Sequence, residues 1–404
     1  MQTRYILASL RKHRLATFLI ALQISLACAV LCNAFFLVVQ RVHAMQIESG
    51  VAEASLATIK LSGFAPEQAV DVNARVVEAL RGVAGIEAVS VVNMVPFGES
   101  VSSAGVRLDQ ERKRFGGVID FYIGDSKAIE TFGLRLVSGR FPLADEYAPI
   151  GKTVPSSPPV LITQSLAAHF WPGQLPLGRQ FWAMGTAFRV VGVVAHLTVA
   201  APGGGQSADA DWAVFVPAIA GANLAGRYIL RGRTSDIARI SDNAKAAVVK
   251  AAPDAVLDTE QSNTLLELRE SYFNSSYVMV ALLMGVSVAL LGTTALGIIG
   301  LASFWVTQRR KQIGIRRALG ATTGDILRYF QIENFIIVSF GILIGMLLAY
   351  ALNFGLMRFY ELPRLPIWYL AIGAATLWIL GQLAVLAPAL RASAIPPMLA
   401  IKAV

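Results

Sequence analysis

The 38 residues from Ser271 to Gln308, SYFNSSYVMVALLMGVSVALLGTTALGIIGLASFWVTQ, carry no charged side chain. A helix crosses ~30 Å of hydrocarbon with about 20 predominantly apolar residues, so this stretch spans a bilayer with length to spare, and part of it stands in water as continued helix. Three more uncharged windows accompany it: 26 residues between Arg14 and Arg41, 24 from Asn334 to Met357 and 26 from Leu365 to Leu390. Barrel strands would be about 10 residues long and alternating, which these are not. Composition agrees: 55% of the 404 residues are hydrophobic and 15% charged, whereas soluble domains hold roughly 25% charged residues. Disordered, collagen-like and coiled-coil readings are excluded by the same figures.

The first window resembles a secretory signal at its start, with Arg11, Lys12 and Arg14 ahead of it and Ala27-Cys28-Ala29 mimicking a cleavage site. Its apolar run continues through Ala34-Phe35-Phe36-Leu37-Val38-Val39, well beyond a signal core of about 7–15 residues, so it reads as an uncleaved anchor. Ser25 stands where a bacterial lipoprotein signal has an aliphatic residue, which argues against lipidation of Cys28. Cys28 and Cys32, the only cysteines, lie one helical turn apart and read as packing residues, leaving no disulfide outside the membrane.

The net charge of +9 would suggest nucleic-acid binding if it were spread over a soluble surface. It is not: segments 1–14, 309–333 and 391–404 together carry +10, the long segment 41–270 carries −2, and 358–364 carries +1. By the positive-inside rule the two termini and the 309–333 loop are cytoplasmic, and 41–270 and 358–364 are outside. A nucleic-acid role loses its support.

The long outer segment exchanges strand-like and helix-like stretches and reads as a folded α+β domain. Strands are expected at 55–61, 87–92, 115–123, 159–162, 188–194, 212–216 and 228–231, and helices at 66–80, 125–132, 164–170 and 234–252. Pro202-Gly203-Gly204-Gly205-Gln206-Ser207 reads as a surface loop. No catalytic residue is assigned. His43, His169 and His196 lack metal-ligand spacing, and Ser102-Ser103 and Ser138-Gly139-Arg140 read as turns, not as a nucleophile elbow. Gly151-Lys152-Thr153 resembles the end of a phosphate-binding loop, but Glu146 occupies the place of the leading glycine and Pro155 follows. The uncharged windows contain only scattered polar groups, Gln23, Asn33, Asn353 and Gln382 among them, which disfavours an ion-coupled carrier. Gly341 and Gly345, with Gly292, Gly297 and Gly300, read as close helix packing.

Between the second and third windows the chain reads Thr307-Gln308-Arg309-Arg310-Lys311-Gln312-Ile313-Gly314-Ile315-Arg316-Arg317-Ala318-Leu319-Gly320-Ala321, a basic helix turning at Gly320 and restarting at Asp325. This resembles the signature loop of MacB-like, FtsX-type ABC permeases, an I-G-x-x-R-A-x-G-A pattern followed by a span opening near a glutamate, here Glu333. The tail from Pro388 to Lys402 is similar to the family's closing motif, and Leu136–Phe141, Trp171–Arg179 and Val190–Val194 fit the family's outer domain. Gln308 and Gln312 stand where the family often has acidic residues, and Leu390 where it often has arginine.

The resemblance implies a membrane α-helical protein with four transmembrane helices in a 1+3 order and a large α+β periplasmic domain inserted between the first and second. The division is a cytoplasmic segment 1–14, spans at 15–40, 277–306, 334–357 and 365–390, a periplasmic core domain 41–270, a cytoplasmic coupling loop 307–333, a short periplasmic loop 358–364 and a cytoplasmic tail 391–404. It implies a multi-pass permease subunit of the bacterial inner membrane, paired with a second permease as homodimer or heterodimer. No cofactor is expected in this chain; ATP and Mg belong to a separate ABC ATPase. Closure of that ATPase would move the outer domain through helical extensions around 40–48 and 265–277 and so drive efflux of drugs, peptides or similar substrates. A periplasmic membrane-fusion adaptor and an outer-membrane exit duct are further partners the resemblance allows. An FtsX-type regulator of cell-wall hydrolases and a lipoprotein-releasing permease share the architecture. A membrane-anchored sensor would need an output module larger than these cytoplasmic pieces. The ATPase contact is expected at Gly314, Arg316, Arg317, Ala318, Gly320 and Ala321, small residues allowing close backbone approach and arginines pairing with carboxylates or lipid phosphates.

Overall fold

A computed structural model describes residues 14–111, 113–150, 157–203, 207, 209–360 and 364–393. The basic segment ahead of Arg14, the Gly151-Lys152-Thr153 stretch and the tail beyond Ser393 lie outside the described residues. The chain opens with helix α1 (Arg14–Met45), then strand β1 (Leu56–Ser62), α2 (Ala69–Arg81), β2 (Ile86–Val91), β3 (Ser103–Arg107) and β4 (Phe115–Gly124). It continues through α3 (Ala128–Phe132), β5 (Leu136–Gly139), β6 (Ala148–Pro149), β7 (Pro159–Thr163), α4 (Gln164–Phe170), β8 (Gln180–Ala183), β9 (Thr186–Val194), β10 (Ala213–Ile219) and β11 (Arg227–Gly232). Last come α5 (Ile237–Ala251), β12 (Val256–Leu257), α6 (Leu265–Gln308), α7 (Arg310–Ala318), α8 (Thr323–Tyr360) and α9 (Ile367–Ser393). Two units result, Ala44–Ser275 and the remainder of the chain on either side.

In the Ala44–Ser275 unit, β1 alternates by the two-residue period of a strand, so that Ala57, Ile59 and Leu61 share one side. They pack with Val72, Val76 and Leu80 of α2 and with Ala244 and Val248 of α5. The antiparallel sheet has the order β12-β1-β11-β2. The chain between β2 and β11 is an insertion with its own sheet, in the order β4-β3-β8-β9-β7-β10. β10 then pairs in parallel with β4, Ala213–Pro217 against Asp120–Gly124, so the circuit closes and its strands have no free edge. Phe121, Phe181, Phe188, Val190 and Val214 form its core together with Leu166 and Phe170 of α4. A third cluster joins these two parts of the unit through Leu56, Tyr122, Phe132, Phe215 and Ile229, and it includes Leu265, Leu268 and Phe273 from the first turns of α6.

Three local readings are corrected. Ser103 opens β3, and Ser138 and Gly139 belong to β5, not to turns. Small polar residues give no strand signal, and β5 joins β9 through a register shift at which Gly139 takes φ 81° and lies so close that a Cβ would be 2.8 Å from Gly192 Cα. The helix expected from Asp125 begins only at Ala128, since the Asp125 carboxylate accepts hydrogen bonds from Ser90 Oγ at 2.7 Å and Val91 N at 2.8 Å. The first helical extension stops at Met45, so Gln46–Glu48 is not helical.

Among the described residues of the other unit, four helices are long and apolar enough to cross a membrane. α1 is the enclosed one: 56% of its most apolar window is buried, against 11% for α6. Ile24, Cys28, Cys32 and Phe36 pack on Val338 and Ile342 of α8 and on Tyr369, Ala374 and Leu377 of α9. Gly341 and Gly345 make that approach possible, because a Cβ on either would meet Ile24 Cγ2 or the Ser25 carbonyl at 2.8 Å. Gly297 likewise abuts Gln23, whereas a Cβ on Gly292 or Gly300 would meet nothing within 4 Å among the described residues. The polar groups tie helices together. Asn33 Nδ2 donates to Ala349 O at 3.1 Å, Gln23 Nε2 to Thr293 O at 3.1 Å and Asn334 Nδ2 to Gly381 O at 2.8 Å.

Candidate coupling site

α6 ends at Gln308, Arg309 breaks the helical path, and α7 follows at once. α7 stops in a Schellman arrangement in which Gly320 N donates to Arg317 O at 3.1 Å and Ala321 N to Arg316 O at 3.0 Å. Gly320 takes φ 97°, the left-handed backbone that a side chain resists. α8 then starts behind a reciprocal cap: Asp325 N donates to Thr322 Oγ1 at 3.2 Å, and Thr322 N donates back to Asp325 Oδ2 at 3.0 Å. Stop and start signals at Gly320 and Thr322, two residues apart, fix a tight, defined corner.

One face of α7 is braced against its neighbours. Ile313 is buried with Ile326 and Phe330 of α8 and with Ala389 and Ala392 of α9. Arg309 Nη1 donates to Glu333 Oε2 at 2.7 Å, an ion pair whose side chains are 13% and 1% exposed, and the same guanidinium lies 5.5 Å from the Trp305 ring centre. Arg317 Nη1 donates to the Ser393 carbonyl at 2.9 Å, and Arg316 sits 5.0 Å above the Tyr329 ring. The other face is open, with Ile315 45% and Leu319 83% exposed.

The expected contact residues therefore divide. Ala318, Gly320 and Arg316 are exposed and Ala321 half-buried, whereas Gly314 is buried and Arg317 turns inward. Arg316 meets an aromatic ring and Arg317 a backbone carbonyl, and Arg309, which the sequence reading did not single out, pairs with a carboxylate. Its partner Glu333 is 24 residues away, beyond any local periodicity. Ile315 and Leu319 were also missed, although apolar residues on either side of the Arg316-Arg317 pair at the end of a short amphipathic helix are a signal. Among the described residues no group of His, Cys, Asp and Glu side chains could hold a metal ion. His169 stacks on Trp212, and His196 Nδ1 lies 3.2 Å from Asp211 Oδ2.

Two family profiles match: the MacB-like periplasmic core domain over residues 15–262 and the FtsX-like permease C-terminal region over residues 281–397. The macrolide export ATP-binding/permease protein MacB of Rhodospirillum rubrum is 32% identical over 263 residues, 61% of this chain and 38% of that one. The ABC transporter permease YknZ of Bacillus subtilis is 25% identical over 254 residues, 60% of this chain and 61% of that one. The chain thus spans less than two thirds of the length of these relatives. Among solved structures, the periplasmic region of MacB from Actinobacillus actinomycetemcomitans aligns with a TM-score of 0.34 at 14% identity, covering 57% of this chain and 98% of that one. The extracellular domain of YknZ gives 0.32 at 15%, covering 50% and 100%. Since the periplasmic profile takes in more than half of the chain and the permease profile covers the last three apolar helices, the chain belongs to the MacB-like, FtsX-type ABC permeases, membrane components of the bacterial inner membrane.

Proposed function

We propose that this chain is the permease subunit of an exporter driven by a separate ABC ATPase. Through mechanotransmission, ATP binding and hydrolysis on the cytoplasmic side move the periplasmic domain, which expels drugs, peptides or similar molecules without passing them between the spans. Two permeases and two ATPase subunits form the working unit, with ATP and Mg held by the ATPase, and a periplasmic adaptor and an outer-membrane duct complete the path. The observation that carries this reading is the α7 platform. A short helix braced on α8 and α9 by Ile313, Arg309 and Arg317 cannot yield locally, while Ile315, Ala318 and Leu319 remain open to a partner. A push on that face is passed to the spans. The Bacillus relative, named as a permease alone, is in keeping with an ATPase on another polypeptide.

The test pairs the full chain with its cognate ATPase in nanodiscs. Ala318→Trp with Leu319→Asp places bulk and charge on the open face while leaving the braced face intact. The pair is expected to insert normally and to lose ATPase stimulation and export. Normal stimulation and export in that variant would remove the assignment of this face.

A further inference from the structure

We infer that Arg269 is a positioning residue that clasps the end of α1 to the beginning of α6, so that the two helices act on the outer domain as a single lever. This rests on the mechanotransmission reading and adds to it the point at which motion is handed over. Met45 is the last residue of α1, and the final carbonyls of a helix have no partner within it. Arg269, in the second turn of α6, supplies one from outside. Its Nη2 donates to Met45 O and to Ile47 O, both at 2.8 Å. A cation at a helix C-terminus is further favoured by the helix dipole. Its Nη1 meets Glu53 Oε1 at 2.6 Å, with the two side chains only 22% and 13% exposed.

The clasp has a floor. The guanidinium lies 5.1 Å from the Phe97 ring centre and 5.9 Å from that of Phe273. Phe97 is buried and adopts φ 62°, a left-handed conformation that residues other than glycine avoid. It is held there by Phe97 N donating to Ala200 O at 2.9 Å and by the rings of Tyr272 and Phe273 at 5.9 and 5.8 Å. One planar group thus joins the α1 terminus, the Glu53 segment, the loop after β2 and the first turns of α6. A lysine cannot reproduce this, because it offers a point charge without a fork or a flat face. The linker is fastened on its far side as well: Thr198 N donates to Ser49 O at 2.9 Å, and Gly50, at φ 76°, leaves no room for a Cβ beside the His196 carbonyl.

The experiment uses the full chain with its cognate ATPase in nanodiscs. Spin labels are placed at exposed Leu175 in the outer domain and at exposed Ile367 at the start of α9. Arg269→Met with Glu53→Gln removes the ion pair without leaving a buried carboxylate unpaired and keeps an apolar stem on Phe97. In the native chain the inter-label distance is expected to change on vanadate trapping of ATP. In the double variant that change should shrink by about fivefold or more, with ATPase rate and outer-domain melting temperature retained. Arg269→Lys, which keeps the charge opposite Glu53 but not the fork, should show a partial loss. A double variant that keeps the native distance change would overturn the clasp, as would a full native response in Arg269→Lys beside a loss in the double variant. A native chain whose labels do not move would instead bring down mechanotransmission itself, and the clasp with it.

Discussion

Asp211 is a carboxylate that its surroundings make costly to ionise. Burial raises its pKa from 3.8 to about 6, although the Leu197 N–H and His196 favour the charged form. A folded-state value above the unfolded one means that its contribution to stability is fully present below 3.8 and is lost as pH rises through 6. Asp211→Asn deletes that titration and retains an acceptor for Leu197 N. The melting temperature of the variant relative to the native chain should therefore climb from about pH 4 to about pH 6 and then level, as read by tryptophan fluorescence. A difference that stays flat over that range would refute the assignment. Glu146 behaves oppositely. Hydrogen bonds from Arg140 at 2.6 Å to both carboxylate oxygens hold its pKa down from 4.5 to about 2. Its contribution is present above 4.5 and lost as pH falls towards 2, so Glu146→Gln should be less stable than the native chain at neutral pH and converge with it in acid. A stability gap that persists at the acid end would show that the carboxylate charge is not the cause.

Whether a glycine in these helices can be replaced depends on what its missing side chain faces. Gly345 lets α8 lie against α1 with the Ser25 carbonyl 2.8 Å from where a Cβ would sit, so Gly345→Leu should destabilise the bundle by about 1–3 kcal/mol. Gly292 in α6 faces open space among the described residues, and Gly292→Leu should leave thermal unfolding followed by circular dichroism within error of the native chain. Since leucine has the higher helix propensity at either position, equal losses in both would mean that the approach of α8 to α1 does not govern the effect. Elements of this kind are where the sequence was most legible. Long uncharged runs announce α1, α6, α8 and α9, alternation announces β1, and short apolar runs announce β7 and β9. The closed circuit of strands was not legible, because β3 and β8 are short, β3 carries little apolar signal, and the pairing of Val106 and Arg107 with Ala183 and Trp182 joins segments far apart in the chain. At α7 the basic helix and the Gly320 corner could be read from neighbouring residues. The Arg309–Glu333 and Arg317–Ser393 braces could not, since separations of 24 and 76 residues leave no periodic trace.

Over the whole chain, excess positive charge collects in the segments expected on one side of the membrane, +10 against −2 for residues 41–270. Lys and Arg flanking short loops resist translocation, so this asymmetry is expected to set orientation when the first helix is a stable anchor. α1 qualifies: within Thr17–Met45 its most apolar 18-residue window has a mean hydropathy of 2.2. The orientation can be read chemically, because the two native thiols, Cys28 and Cys32, are fully buried among the helices and offer no background to a water-soluble reagent. Met184→Cys and Leu319→Cys each replace a side chain more than two thirds exposed, one in the Ala44–Ser275 unit and one at the α7 corner. In intact spheroplasts a membrane-impermeant maleimide should label Met184→Cys and spare Leu319→Cys, and permeabilisation should make both reactive. Replacing Arg309, Arg310, Lys311, Arg316 and Arg317 by glutamine in the second background removes the basic charge between α6 and α8 and with it the ion pair to Glu333, yet Arg328 and the basic segments 1–14 and 391–404 keep their charge. The five-fold variant is therefore expected to misinsert in part, with Leu319→Cys becoming reactive in a fraction of molecules before permeabilisation. Full protection of Leu319→Cys in that variant would assign orientation to the hydrophobic order of the helices, and labelling of Leu319→Cys in the otherwise native chain would invert the topology on which the α7 platform depends.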